Sequence, residues 1–427
     1  MDAVEIESLD REGRGVARVA GKALFVEGAI TGERIEYALR RRKPTFDVGQ
    51  LVQVVRPSAA RVAPRCPHFG VCGGCAMQHV DLATQVAAKQ RVLEDALWHI
   101  GKVRAETLLA PIHGTPWGYR HRARLSVRFV PRKGGALVGF HERRSAYVAD
   151  MIRCEVLPPA VSALIGPLRE LCGGLSIRDR VPQIEVAVGD EAIVLVLRVL
   201  APLAAADESL LRAFADRHGI SLWLQPGGPD SARPFHPPGA PVLRYSLPDF
   251  GVRLAFAPTD FTQVNHAVNQ VLVRRALGLL DVRPGERVLD LFCGLGNFSL
   301  PLAVEGAQVL GLEGSRTLVD RARANAAANR LVAQFECADL FDPAVCARLP
   351  ACGAMLIDPP REGAIEVVKA LGPGAPARIV YVSCDPATLA RDAGVLVHVK
   401  GYRLSAAGAV NMFPHTAHVE SIALFTR

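Results

Sequence analysis

The sequence predicts an α/β protein whose C-terminal portion is an open, doubly wound sheet. A small β-barrel and a mixed α/β segment precede it. Three observations carry this reading. Four buried-strand runs, RVLDLF, QVLGLE, AMLIDPP and RIVYVSC, are each followed by a helical pattern. A glycine-containing turn, Cys293-Gly294-Leu295-Gly296-Asn297, follows the first run. The first sixty or so residues alternate apolar and polar positions between charged, glycine-bearing turns.

A chain of 427 residues exceeds one typical core, so roughly two to four domains are expected. Half of the residues are hydrophobic, which excludes a wholly disordered chain. The start, MDAVEIESLDREG, is acidic and lacks the apolar core of a signal peptide. The most apolar stretch, Ile193 to Ala206, is broken by Arg198 and is too short to span a bilayer. A soluble, cytoplasmic, monomeric protein is expected. The net charge of +8, carried mostly by Arg, suits a polyanionic partner. A coding bias towards Arg accounts for the same total, so the distribution of charge matters more.

Residues 1–60 supply the barrel through VEIESL, GVARV, KALFVEG, RIEYAL and GQLVQVV. The run Arg40, Arg41, Arg42, Lys43 falls in one of its turns, as a solvated loop or a nucleic-acid surface. Residues 61–255 form the central domain. It opens with a cysteine cluster and continues with a helix from Gln85 to about Gly101, in which Val86, Val92, Leu93 and Leu97 keep helical spacing. That helix packs either on its sequence neighbours or on the catalytic domain. Strands follow in RARLSVRFV and ALVGFHE. Between Arg120 and Arg144 eight Arg/Lys stand against the single Glu142, which points to RNA phosphate contact by Arg120, Arg122 and Arg124 rather than a merely solvated face. The Pro/Gly-rich stretch Gln225 to Pro241 reads as a surface loop or linker. Residues 256–427 form the catalytic domain.

The ten cysteines of a cytoplasmic protein are expected to be reduced thiols. Cys172, Cys293, Cys337, Cys346 and Cys352 have no setting that suggests reactivity. Cys66, Cys72 and Cys75, with Cys154 further on, make a set of four in which the CGGC turn lets two thiolates reach one centre. Zinc and an iron–sulfur cluster fit this spacing equally, and His68 or His79 are possible substitutes for a ligand in a zinc site.

In the C-terminal domain, glycines at the strand-to-helix turn after RVLDLF let the backbone approach a ligand. Glu313 ends the next strand, where a carboxylate can accept both hydroxyls of a ribose. A nicotinamide oxidoreductase is the rival reading, but no hydride-transfer site accompanies it. Cys384 ends the strand run of YVSC, and a helix begins at Pro386; that helix N-terminus favours the thiolate. An inert thiol at a strand end is the alternative. The loop Asp358-Pro359-Pro360-Arg361 follows another strand of the same sheet, and ligands of such sheets sit beyond the carboxyl ends of the strands. The glycine turn, this loop and Cys384 are therefore expected to share one crevice.

A thiolate beside a methyl donor suits a carbon that is not itself nucleophilic, such as C5 of uracil. Addition at C6 makes C5 nucleophilic, and a base must then take the C5 proton. Glu420 is the candidate base; a surface carboxylate at a strand edge is its alternative. Asp358 is a candidate to stabilise substrate or donor, and Arg361 to offset enolate or phosphate charge.

The stretch DLFCGLGNFSL resembles motif I of class I methyltransferases. The resemblance implies that Phe292, Gly294 and Asn297 border S-adenosylmethionine, that Glu313 holds its ribose and that Asp339 lies near its adenine. DLFCGLGNF, DPPREG, YVSCDPATLARD and MFPHTAHVESIALF, in this order, resemble the bacterial RNA uracil-5-methyltransferases over nearly the whole chain. The family loop often reads DPxRxG, and DPPREG keeps Asp358, Arg361 and Gly363. The resemblance implies Cys384 as nucleophile and Glu420 as base. FTQVN, from Phe261 to Asn265, is similar to the family's cofactor-contacting turn, which places Gln263 at the methionine end of the donor and Phe261 near an extruded uracil. The four cysteines are similar to those of a 4Fe–4S cluster in the ribosomal-RNA branch, where four ligands leave no open iron and imply a structural or RNA-positioning role. The N-terminal barrel is similar to a TRAM domain, an OB-like RNA-binding module. Barrel and cluster together imply 23S ribosomal RNA as the partner. The same chemistry on tRNA, a non-catalytic RNA-binding factor and a zinc-stapled binding protein are the alternatives.

Overall fold

A computed structural model of the chain describes residues 2–239 and 242–427. The N-terminal sheet has six strands in the spatial order Asp2–Glu5, Arg34–Arg42, Phe46–Arg56, Lys22–Glu27, Gly15–Val19, Ser8–Leu9. Its two outer strands are separated in sequence only by Ile6 and Glu7, so the chain leads from one edge straight into the other. Alternation sends Ala17, Leu24, Val26, Ile35 and Tyr37 inward around Ile6. The buried Glu33 accepts from the Ile30 amide and pairs with Arg61. Arg40, Arg41 and Arg42 are not in a turn: the strand runs on to Arg42 and leaves all three exposed. Expecting a turn there underestimated how far a strand with a solvated end can extend.

The central sheet runs Arg233–His236, Ser221–Gln225, Ile193–Arg198, Gln183–Val188, Arg122–Val130, Gly135–Gly139. It is antiparallel except for Ile193–Arg198 and Ser221–Gln225, which are parallel and joined through the helix Ala205–His218. Within the stretch expected to be a loop from Gln225 to Pro241, Arg233–His236 pairs with Ser221–Gln225. Ala240 and Pro241 lie outside the described residues.

The largest sheet has the order Gln334–Cys337, Gln308–Glu313, Arg287–Leu291, Ala354–Ile357, Arg378–Ser383, Glu420–Thr426, Arg403–Val410, Thr107–Leu108. The first five strands are parallel, and Glu420–Thr426 runs antiparallel to its neighbours. All four residues of Ala354–Ile357 are buried, as a strand covered on both faces requires. Met355, Leu356 and Ile357 each contribute about 1.5–3 kcal/mol by leaving water.

The helix Leu82–Ala96 is capped by Asp81, which accepts from the Thr84 amide, and continues as a π-helical turn, Leu97–Gly101. Leu93 and Leu97 share a core with Leu389, Ala390 and Ala393 of the helix Pro386–His398. A Cβ on Gly101 would lie 2.3 Å from the Ala390 carbonyl oxygen, so this approach needs glycine. Residues 82–112 thus lie against the C-terminal layer, and Thr107–Leu108 extends its sheet. The hairpin of Leu243–Leu247 and Val252–Phe256 shares a core with the helix His266–Leu280. Among the described residues, no helix is long and apolar enough to cross a membrane.

Candidate active site

The parallel strands end at one crevice, a cavity of 490 Å³. Its volume is in the range of small-molecule sites. Gln263, Phe292, Gly294, Asn297, Glu313, Asp339 and Asp358, expected to meet a donor, all line it, as do Arg361, Cys384, Glu420 and Phe261. Each reaches the crevice from a strand end or the loop beyond it. After Leu291 the backbone turns through left-handed geometry at Phe292 (φ 62°) and again at Gly294 (φ 56°). A phenylalanine held at positive φ is a strained position, of the kind that clusters at ligand sites.

Several of these side chains are fixed by neighbours. Glu313 accepts from the Gly294 amide at 3.1 Å and from the Ser315 amide at 2.9 Å, one bond to each oxygen. Each oxygen keeps a lone pair for a ligand hydroxyl. The amide of Asn297 exchanges hydrogen bonds with Asn269 (2.8 and 3.0 Å) and its oxygen accepts from the Tyr245 hydroxyl at 2.9 Å. Phe292 and Phe341 have ring centroids 5.7 Å apart, and with Leu318 and Leu340 they make an apolar wall beside Asp339. Beneath the glycine turn, the fully buried Asp290 accepts from the Ser299 hydroxyl, and burial pushes its carboxyl up to about 7.

Burial raises the Cys384 thiol and the Asp358 and Glu420 carboxyl groups of the cavity above their ordinary ranges. Burial pushes Glu420 up to about 8; Asp358 raises it further and Lys89 opposes. Burial alone pushes Asp358 up to about 7. Cys384 is a correction to the sequence-based expectation. Its thiol is raised to about 11 by burial, then by Glu420 and Asp358, with Arg361 opposing. The helix start that was expected to favour thiolate is occupied by Asp385, whose carboxylate accepts from the Ala387 and Thr388 amides. Two carboxyl groups and burial outweigh one helix terminus.

A second cavity, of 730 Å³, shares Phe261, Gln263, Arg361, Cys384 and Glu420 with the first. It runs to Cys66, Cys72, Cys75 and Cys154, which all line it. Among the described residues no group of three or more His, Cys, Asp or Glu is arranged to hold a metal ion. The four thiols nevertheless face common space. Burial pushes Cys75 up to about 12 and Cys154 up to about 11, and the neighbouring sulfurs add to both. The Gly74 amide donates to Cys72 Sγ at 3.4 Å, and a Cβ on Gly73 would come within 3.1 Å of the His141 carbonyl oxygen.

The three arginines expected to meet RNA divide. Arg120 lines the second cavity, its guanidinium over the rings of Phe140 and Phe413. Arg122 does not face solvent: it is partly buried and donates to the Asp260 carbonyl oxygen, locking the FTQVN turn to the central sheet. Arg124 is exposed but bonded to Glu185 on the adjacent strand at 2.9 Å. Arg122 and Arg124, two residues apart, share one face of their strand, and what separates them is the partner each meets, the Asp260 carbonyl for one and Glu185 for the other.

Residues the sequence reading missed cluster around the loop that precedes Glu420. Gln85 donates to the carbonyls of Met77 and Val80 and accepts from the His415 amide. Lys89 donates to Asn411 Oδ1 and the Phe413 carbonyl. Trp117 stacks on His415 with centroids 3.9 Å apart. A signal existed: Gln85, Lys89, Leu93 and Leu97 repeat every four residues, so two polar side chains share the buried stripe of an otherwise apolar face.

Residues 248–338 and 348–427 match the family described as tRNA (Uracil-5-)-methyltransferase. A protein of Aromatoleum aromaticum named 23S rRNA (uracil(1939)-C(5))-methyltransferase RlmD is 62% identical, covering 100% of both chains. One of the same name from Dechloromonas aromatica is 61% identical over 99% of this chain and 98% of its own. The crystal structure of the Pyrococcus abyssi tRNA (uracil-54, C5)-methyltransferase in complex with S-adenosyl-L-homocysteine superposes with a TM-score of 0.76, at 25% identity, over 100% of both chains. With likeness of this extent, and a donor-sized cavity that opens on a cysteine and a buried glutamate, the chain belongs to the RNA uracil-5-methyltransferases, enzymes that use S-adenosylmethionine.

Proposed function

We propose that this protein methylates C5 of a uridine in 23S ribosomal RNA, with Cys384 as nucleophile and Glu420 as base. The observation that carries the reading is the shared cavity: Gln263, Glu313 and Asp339 line it together with Cys384, Asp358 and Glu420. S-adenosylmethionine supplies an electrophilic methyl group there. Gln263 faces its methionine end, Glu313 its ribose hydroxyls, and Phe292, Phe341 and Asp339 its adenine. Cys384 Sγ forms a bond to C6, and the electrons of the 5,6-double bond move onto the C4 carbonyl as an enolate. C5 takes the methyl group, Glu420 removes the C5 proton, and the C6–S bond breaks to return the thiolate. Asp358 faces the polar edge of the ring, and Arg361 offsets the enolate charge. Two substrates in parallel, a 23S fragment and tRNA, test the choice of RNA. Methylation of the 23S fragment is expected; methylation of tRNA alone would transfer the reading to the activity named for the Pyrococcus protein.

A paired uridine hides C6, so the nucleotide must leave its stack at a cost on the order of a few kcal/mol. Phe261, exposed at the cavity mouth, and Arg120 with Phe140 and Phe413 offer rings and charge to a displaced strand. The N-terminal sheet, read as a TRAM-type barrel, adds Arg40, Arg41 and Arg42. About four phosphate contacts would lower RNA affinity roughly 50-fold between ~50 and ~200 mM salt. Arg120→Ala should flatten that slope, measured by filter binding; an affinity unmoved by salt contradicts the phosphate grip. A ribosomal substrate implies a cytoplasmic site of action.

Cys66, Cys72, Cys75 and Cys154 are read as the ligands of a 4Fe–4S cluster. In support, four thiols line one cavity, an amide donates to one sulfur, and glycine at position 73 permits close packing. Protein purified without oxygen should be brown and carry about four irons per chain. Cys75→Ser should lose colour, iron and thermal stability together. Colourless protein containing zinc contradicts the assignment.

A further inference from the structure

The helix Leu82–Ala96 carries a lysine on its buried stripe. Lys89 is 2% exposed, and two of its three ammonium hydrogens go to Asn411 Oδ1 at 2.7 Å and the Phe413 carbonyl oxygen at 2.8 Å. A buried cation with neutral partners is costly unless an anion lies near. Glu420 is the nearby acidic group: Val410, which precedes Asn411, pairs with Glu420 across the two adjoining strands, Glu420 Oε2 is buried with no hydrogen-bond partner, and the lysine and the carboxyl oppose each other's burial shifts. We propose that Lys89 is a positioning residue for the second half of the reaction, the cation against which the Glu420 carboxylate is set while it faces the C5 proton.

The groups around the pair are few. Asp358 and Lys89 act on Glu420, and Glu420 in turn acts on Cys384. The field of Lys89 reaches His415 and His418, and Arg361 lies 3.2 Å from His418. Burial drives Glu420 up and Lys89 down, and each opposes the displacement of the other. Without the lysine, Glu420 holds its proton to higher pH, and fewer molecules can accept a proton from C5. Addition of Cys384 and methyl transfer precede that step and do not use Glu420. The inference rests on Glu420 as the base.

Single-turnover methylation of an ordinary uridine substrate, followed by denaturing gel and by release of methylated RNA, separates the two halves. In Lys89→Met the methylated covalent adduct should form at nearly the wild-type rate and then accumulate. Its elimination should slow at least ~tenfold near neutral pH, the effect of one unit in the pKa of Glu420, and recover as pH rises. Lys89→Arg, which keeps a cation, should eliminate faster than Lys89→Met. If Lys89→Met fails to fold, Asn411→Ala, which removes one anchor of the ammonium, should show the same separation of rates to a smaller degree. Equal slowing of both halves, no slowing, or a pH profile of elimination that does not move overturns the proposal. Glu420→Gln is run beside them. If its adduct does not accumulate, the base assignment has failed; if it does and that of Lys89→Met does not, only the role of Lys89 has failed.

Discussion

Cys384→Ala should reduce methyl transfer by at least about 10⁴-fold, because the other thiol lining the cavity, Cys293, is 3% exposed and raised by burial well above its ordinary range. The loss should appear in the chemical step, with binding of S-adenosylhomocysteine retained, since the substitution leaves Gln263, Glu313 and Asp339 of the cavity in place. Wild-type behaviour with pH gives an independent check. Burial, Glu420 and Asp358 lift the thiol to about 11, so only its minor ionised form is nucleophilic at neutrality. The rate of adduct formation should therefore rise with pH through the neutral range, and stopped-flow or quench measurements from about pH 6 to 9 would show it. Arg361 opposes the rise of the thiol, so Arg361→Ala should lower the rate and steepen the need for high pH.

Glu420→Gln should leave addition and methylation in place and block elimination of the thiol. Loss of a general base costs about 10²–10⁴-fold, and here the intermediate before that step is covalent, so methylated adduct should build up with unmodified substrate RNA. The effect of the substitution on the fold should depend on pH. Glu420 is 6% exposed and its Oε2 has no partner, so the protein carries the carboxyl most easily when it is neutral. A carboxyl whose folded pKa is raised to about 8 contributes stability that is fully present below its unfolded value and lost as pH rises through about 8. Relative to wild type, the melting temperature of Glu420→Gln should therefore climb as pH rises through the neutral range. A variant that is equally destabilised at every pH would mean that the carboxylate makes contacts beyond those described.

The C-terminal sheet was legible because strands covered on both faces read as continuous apolar runs, and because glycine is needed where the chain turns sharply at Gly294. Convergence of the glycine turn, the Asp358 loop and Cys384 came from one rule about where ligands sit on such sheets. The rest depended on distances between segments far apart in the chain. Nothing near Lys89 in sequence announces Asn411 or Glu420, and only its place on a buried stripe gave a hint. Phe341 likewise stands in a polar stretch and meets Phe292 through the fold alone. Arg122 counted as positive charge in the sequence, whereas in the structure its guanidinium ties the FTQVN turn in place. The protonation of Cys384 was misjudged for the same reason: the helix start is local, but Glu420 and Asp358 arrive from other strands.

Covalent attachment to uracil through Cys384 is the central claim, and a 5-fluorouridine-substituted 23S fragment tests it most directly. Fluorine at C5 cannot leave as a proton, so the adduct formed after methyl transfer has no route to break down. With S-adenosylmethionine present, the wild-type protein should give a protein–RNA band stable to denaturing electrophoresis, and Cys384→Ala should give none. A band that persists in Cys384→Ala, or none from the wild-type protein, would contradict the account.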